Sequence, residues 1–362
     1  MPKPVRLLVA GGGTGGHLFP ALAVTQALEE RLPLKTLFVG TARGLEATLI
    51  PQRGYDLELL SVSGLYRVGA LKKLLGLAKL PLAFLQSARI LRRFQPQVVL
   101  GVGGYAAGPM LATALALGYP VCLQEQNAFP GMTNRLLGKY APLSFVPFAG
   151  LEGTFKNPVV VGNPIRKELL QARGQAGQRP ASPFTLSVLG GSQGAAVLNQ
   201  AVIGMLPLLQ GQPIRILHQA GTANLEAVQS AFAQFPGVQA EVLGFINNMA
   251  QLYQESHLVL SRSGSIVNEI MALGRASILV PIPFSSGDHQ RQNAIKMQQA
   301  GASILLEQAD LTPQLLWQQV QGLMQNPGQL QAMEAAASHL FAGDAAALIA
   351  DKMIEFFRLD QA

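Results

Sequence analysis

The chain has 362 residues, 49% of them apolar, one cysteine and a formal net charge of +7. That length predicts two domains and an ample core, and a single cysteine excludes an internal disulfide. With no secretory leader in MPKPVRLLVAGGG and no run of about 18 apolar residues, the expectation is a reducing compartment and no spanning helix.

In chain order, strand-like runs fall at 6–10, 36–39, 57–60, 98–100, 121–123 and 159–161, with helical patterns between them such as 20–30 and 110–117. Such alternation predicts βαβ units and a parallel sheet. Residues 172–182, rich in Gly, Gln, Arg and Pro, read as an exposed loop. The alternation restarts with strands at 184–189, 214–218, 239–243, 258–260, 277–280 and 303–305. LLVAGGGTGG (7–16) is echoed by LSVLGGSQGA (186–195). The fold class expected is α/β, with two similar domains and a ligand cleft between them. Residues 341–359 read as an amphipathic helix opened by Asp344.

Gly11, Gly13 and Gly16 fit G-x-G-x-x-G after a strand and before a helix, the dinucleotide fingerprint. That reading expects an acidic residue about 20 positions on. The second strand runs into VGTARGLE, which offers Arg43 for a 2′-phosphate but no carboxylate at the strand tip. His17 also departs from a plain dinucleotide loop. An imidazole in the first turn of a helix has its charged form disfavoured by the helix dipole, so it is suited to accept a proton. The plain alternative for His17, and for Thr14, is a polar loop residue without chemistry.

Three more glycine- or serine-rich helix starts follow. GGSQGA offers backbone N–H groups and the Ser192 hydroxyl to a diphosphate. SRSGSIVNEI places Ser263, Gly264 and Ser265 at a helix start, with Glu269 able to accept from both hydroxyls of a ribose. PIPFSSGDHQRQNA concentrates Asp288, His289, Gln290 and Asn293, with Asp288 also a reasonable N-cap. Together they predict a nucleotide-diphosphate pocket in the second half of the chain.

GGGTGGHLFPALAV, LGVGGYAAGP, EQNAFPGMTN, VGNPIR, GGSQGA, FINNM, SRSG and DHQRQNA occur in this order. In that set the chain resembles the bacterial UDP-N-acetylglucosamine–N-acetylmuramyl-(pentapeptide) pyrophosphoryl-undecaprenol N-acetylglucosamine transferases, from about residue 5 to about 355. The resemblance implies two Rossmann-like domains of the glycosyltransferase B type, 1–162 with 343–362 and 163–342. It implies inverting transfer of N-acetylglucosamine to the C4 hydroxyl of lipid I, giving lipid II, with no cofactor and no metal. By the same resemblance Arg166, Ser192, Gln193, Ile246 (through its backbone), Ser265, Glu269 and Gln290 hold UDP-N-acetylglucosamine. Thr14, Gly15, Gly16 and Asn127 meet it from the first domain, and Thr14 and Tyr105 also face the acceptor. His17 is the expected base and Glu125 the runner-up. In one respect the chain departs from the family's pattern: Arg262 and Glu269 are seven positions apart, one fewer than usual. That rotates a helix by about 100° and makes Asn268 the neighbour able to substitute for Glu269.

A lipid-linked acceptor requires a membrane contact. Between residues 59 and 124 there is no Asp or Glu, and such a one-sided basic field implies an anionic partner. Leu71, Lys72, Leu74, Leu75 and Lys79 read as a basic amphipathic contact with anionic lipid, which places the protein peripherally on the cytoplasmic face of the plasma membrane. Few aromatics interleave the basic residues, so nucleic acid is not the expected partner. Competing readings are an NADP-dependent oxidoreductase using the first glycine loop, a non-catalytic nucleotide-sugar or RNA binder using the basic stretch, and a transferase with another lipid acceptor such as a diacylglycerol.

Overall fold

The computed structural model describes residues 3–42, 44–62, 78–127, 129–147, 149–173, 182–191, 194–283 and 288–361. The chain forms two units, Met1–Arg166 with Asp344–Ala362, and Lys167–Gly343.

In the first unit, short apolar runs form β1 (Val5–Gly11), β2 (Leu34–Gly40), β3 (Asp56–Leu59), β4 (Val98–Gly103), β5 (Val121–Gln124), β6 (Leu143–Val146) and β7 (Pro158–Val160). They build one parallel sheet in the order β3-β2-β1-β4-β5-β6-β7. The central strand β1 is apolar at nearly every position because both faces are covered. Its Leu7 and Val9 pack with Leu18 and Leu22 on one face. Leu8 and Ala10 pack with Leu91 and Met110 on the other. The helices are α1 (Gly15–Glu29), α2 (Glu46–Gln52), α3 (Leu80–Phe94), α4 (Ala107–Ala116) and α5 (Met132–Leu137).

Two local results differ from the sequence pattern. The first helix begins at Gly15 rather than at Pro20, because the Thr14 carbonyl already accepts from the His17 and Leu18 N–H groups. The four-residue strand β6, fully buried between β5 and β7, lies between Pro142 and Pro147, whose breaker signal hides it in the sequence.

The second unit holds β8 (Phe184–Leu189), β9 (Ile214–Gln219), β10 (Gln239–Leu243), β11 (Leu258–Ser261), β12 (Ala276–Leu279) and β13 (Ser303–Leu305). They form a parallel sheet in the order β10-β9-β8-β11-β12-β13. Its helices are α6 (Lys167–Ala172), α7 (Ala196–Leu209), α8 (Leu225–Ala233), α9 (Met249–Glu255), α10 (Ile266–Leu273), α11 (His289–Gln299), α12 (Pro313–Gln325) and α13 (Pro327–His339). The last helix, α14 (Ala345–Phe357), buries Ile349, Ala350 and Met353 in the core of the first unit. Asp344 opens it by accepting the Ala347 N–H at 3.0 Å. The loop read at 172–182 lies almost wholly outside the described residues.

One buried base in the second unit sets a pH limit. Asn199 donates its amide N–H to the Ala220 carbonyl, so its Oδ1 accepts from His218 Nε2 at 2.8 Å. His218 is 1% exposed, and burial pushes its imidazole down to about 4. In the unfolded chain it titrates near 6.5. Between those values only the unfolded form takes up the proton. The stability present above pH 6.5 is therefore lost as pH falls toward 4, by about 3 kcal/mol. Urea unfolding against pH checks this: His218→Gln flattens the slope of the second unit in that window.

Candidate functional site

The strand order of the first sheet reverses between β1 and β4, where an open α/β sheet leaves a crevice at its carboxyl end. The first glycine loop leaves β1 there and enters α1. Gly12 N–H donates to the Gly103 carbonyl at the end of β4, 3.3 Å away. Thr14 sits at the N-cap of α1, exposed, with no capping bond from its side chain. The N–H groups of Gly15 and Gly16, in the first turn, therefore have no partner within the helix.

His17 projects from that turn. Its Nδ1 lies 2.8 Å from Gln126 Oε1, just beyond β5. The ring lies over Gly103: a Cβ there would fall 3.1 Å from His17 Cε1, and the backbone takes φ +88°. Only glycine meets both conditions comfortably. Tyr105, two residues on, is 52% exposed.

Two buried carboxylates shape this crevice. Glu46 was not among the residues singled out in the sequence, where the tip of the second strand shows no acid. The structure corrects that: α2 turns Glu46 back onto the tip of β2. Its Oε1 accepts from the Thr41 N–H and hydroxyl at 2.8 and 3.0 Å. Its Oε2 accepts from Gly13 N–H at 2.6 Å. At 1% exposure the carboxylate belongs to the glycine loop and cannot hold a cofactor ribose. The signal was an acid six residues past the strand end, after a chain reversal that spacing does not reveal.

Glu125 is likewise enclosed. Its Oε1 accepts from the N–H groups of Gln126 and Asn127, both at 2.9 Å, and from Asn127 Nδ2 at 3.0 Å. Its Oε2 accepts from Gly131 N–H and Asn134 Nδ2, both at 3.0 Å. It is 1% exposed. The five donors come from Gln126, Asn127, Gly131 and Asn134, with the partly exposed Asn127 at the rim. Arg166, at the end of the first segment of this unit, stacks its guanidinium 4.7 Å from the Phe19 ring centre.

In the second unit the order reverses between β8 and β11, and the predicted nucleotide motifs follow strands at that end. Ser265 is exposed at the N-cap of α10. Glu269 Oε2 accepts from the Tyr253 hydroxyl at 3.0 Å. Asn268 folds back to donate to the Ser265 carbonyl at 2.9 Å. Gln290 Oε1 accepts from Ile282 N–H at 3.1 Å, and its Nε2 lies 3.8 Å from where a Gly264 Cβ would be. Arg262 ties the end of β12 by donating to the carbonyls of Val280 and Pro281 and to Gln308; burial pushes its guanidinium below the ordinary value. Ile246 is buried and its neighbour Phe245 exposed. Asp288 occupies the N-cap of α11 at φ +53° but makes no capping bond, which corrects its reading as a cap. Ser192, Gln193 and Arg43 lie outside the described residues, as do Leu71, Lys72, Leu74 and Leu75; Lys79 is described and exposed.

Residues 7–145 match the glycosyltransferase family 28 N-terminal domain, and residues 185–349 its C-terminal domain. A UDP-N-acetylglucosamine--N-acetylmuramyl-(pentapeptide) pyrophosphoryl-undecaprenol N-acetylglucosamine transferase from Geobacter sp. (strain M21) is 40% identical over 97% of this chain and 96% of its own length. The protein of the same name from Syntrophotalea carbinolica is 42% identical, covering 93% and 94%. The crystal structure of MurG from Acinetobacter baumannii superposes with a TM-score of 0.78 and 31% identity, over 98% of this chain and all of that one. The chain belongs to glycosyltransferase family 28, in the family of these N-acetylglucosamine transferases.

Proposed function

We propose that this chain transfers N-acetylglucosamine from its UDP ester to the C4 hydroxyl of N-acetylmuramyl-(pentapeptide) pyrophosphoryl-undecaprenol, inverting the anomeric carbon. The observation that carries this reading is near-full-length identity of about 40% with transferases of that name. The acceptor oxygen forms the new bond to the anomeric carbon as the bond to the diphosphate breaks. The electron pair leaves with UDP, and the hydroxyl proton goes to His17.

Glu125 is assigned as the organiser of its loop, since its oxygens already accept five hydrogen bonds. It holds Asn127 by Nδ2, which leaves the amide oxygen to accept from a sugar hydroxyl. Thr14, Gly15 and Gly16 offer N–H groups and the positive end of α1 to the donor, and Tyr105 faces the acceptor. In the second unit Ser192, Gln193, Ser265 and Gln290 hold the diphosphate and sugar with the Ile246 backbone, and Arg166, of the first unit, is assigned to the same nucleotide. Glu269 rather than Asn268 takes the ribose, because Asn268 is folded onto its own helix start. Helix N-termini stabilise the diphosphate as charge develops. The test is UDP release by the purified protein: it depends on a short-chain analogue of the lipid acceptor. Release at the same rate without acceptor, or none with it, overturns the reading.

The same chemistry requires a lipid surface. The apolar face of α3 buries Ala83, Ile90 and Leu91, yet Leu82, Phe84 and Leu85 remain exposed. Phe84 and Leu85 line an apolar groove of about 510 Å³ with Ala116 and Leu117 of the neighbouring helix end. Lys79, at the N-cap of the same helix, and Arg89 and Arg92 within it are all exposed. No described helix is long and apolar enough to cross a membrane. We assign this face, continuous in sequence with Leu71, Lys72, Leu74 and Leu75, as the contact with anionic lipid. Replacing Leu82 and Leu85 by Ser weakens sedimentation with phosphatidylglycerol vesicles about tenfold, by loss of apolar insertion, and leaves turnover of a detergent-soluble acceptor unchanged. Unaltered sedimentation removes the assignment.

A further inference from the structure

Gln126 carries no role in the reading above, yet it decides which nitrogen of His17 is free. Its Nε2 faces the Val102 carbonyl at 3.0 Å and also donates to Gln124 Oε1. With the carboxamide flipped, an oxygen would face both of those acceptors, so the orientation is fixed by its neighbours. The Gln126 oxygen is therefore the atom 2.8 Å from His17 Nδ1. An amide oxygen can only accept, so Nδ1 must donate.

We infer that Gln126 is a positioning residue that holds neutral His17 in the Nδ1–H tautomer, leaving Nε2 bare to receive the acceptor's C4 hydroxyl proton. This rests on the proposed role of His17 as base. The surroundings reinforce the geometry. Gln126 is 6% exposed, and its main chain is held twice, by N–H donation to Glu125 Oε1 and by its carbonyl accepting from Asn163 Nδ2 at 2.8 Å. Gly103 keeps side-chain atoms out of the space beside Nδ1, where a Cβ would come within 3.2 Å. After proton transfer the imidazolium keeps Nδ1–H on Gln126 and carries the new proton on Nε2. Unlike a carboxylate, the neutral amide aligns the ring without adding a charge to the site.

The experiment is ¹⁵N NMR of the full-length protein labelled at histidine, with the His17 signals identified by their loss in His17→Ala. In the neutral wild type, Nδ1 should give the protonated and Nε2 the bare ring-nitrogen signal. Gln126→Met removes the acceptor at similar size. It should admit the Nε2–H tautomer and lower kcat about 10- to 100-fold, with KM for UDP-N-acetylglucosamine unchanged. A wild-type His17 protonated on Nε2 overturns the inference without any variant having to fold. So does a folded Gln126→Met that keeps the wild-type tautomer and kcat. Near-normal turnover by His17→Ala would instead remove the base role beneath it, a failure the spectrum separates from a wrong tautomer.

Discussion

His17→Ala lowers kcat by about 10²- to 10⁴-fold, the range a positioned general base contributes. The acceptor hydroxyl is a poor nucleophile until its proton has somewhere to go. Among the described residues at the carboxyl ends of β1, β4 and β5, His17 is the partly exposed group suited to take it, since Glu46 and Glu125 are 1% exposed and enclosed by donors. The substitution removes one partly buried hydrogen bond, to Gln126. Stability should therefore fall by no more than about 1 kcal/mol. Binding of UDP, in which His17 has no assigned part, should be untouched. Steady-state kinetics beside a thermal melt check both halves. A variant with near-normal kcat moves the proton to another group.

Glu125→Ala gives the contrasting outcome, with the loss of activity following from a loss of structure. Five donors converge on this carboxylate. Removing it strands them in a site almost closed to water. Each stranded donor costs about 1–3 kcal/mol before relaxation, so a net cost of at least about 3 kcal/mol is expected. For a unit of this size that is a fall in Tm of about 6–12 °C. Glu125→Gln recovers part of the loss, because an amide oxygen can accept from one side of the cage while its NH₂ opposes donors on the other. Calorimetry separates the two histories: a base lost by Glu125→Ala would leave Tm unchanged, and an organiser lost would not. Full stability with lost turnover would return Glu125 to the role of base.

The sequence carried the architecture well because parallel strands buried on both faces leave an unmistakable trace. Phe184–Leu189, buried throughout, stands in the structure at the bounds its apolar run implies; Gln239–Leu243 and Ser303–Leu305, at the two edges of the second sheet, also keep their expected bounds although they are more exposed. Where a signal was weak, it was weak for a physical reason. Leu143–Val146 is short and proline-flanked, and only its neighbours in the sheet make it a strand. The glycines before Pro20 look like loop, yet they supply the first turn of α1.

The site was legible in its glycines and its histidine, less so in the groups that hold them. His17, Gly103 and Gln126 come from three separate strand ends, and no spacing rule links them. Glu46 reaches Gly13 across 33 residues of chain. Glu125 looked like a candidate base for the reason that makes it an organiser: an acid beside polar residues at a strand tip. Whether its oxygens face substrate or main-chain N–H groups depends on where Gly131 and Asn134 return to the strand tip, which spacing in the sequence does not show.

The most direct test of the account is the product's linkage. The purified protein is incubated with UDP-N-acetylglucosamine and a short-chain muramyl-pentapeptide diphosphate lipid, and the anomeric coupling of the new disaccharide is read by NMR. A single β-linkage to the muramyl C4 oxygen, formed together with UDP, is the predicted result. An α-linkage, or UDP without disaccharide, would contradict it.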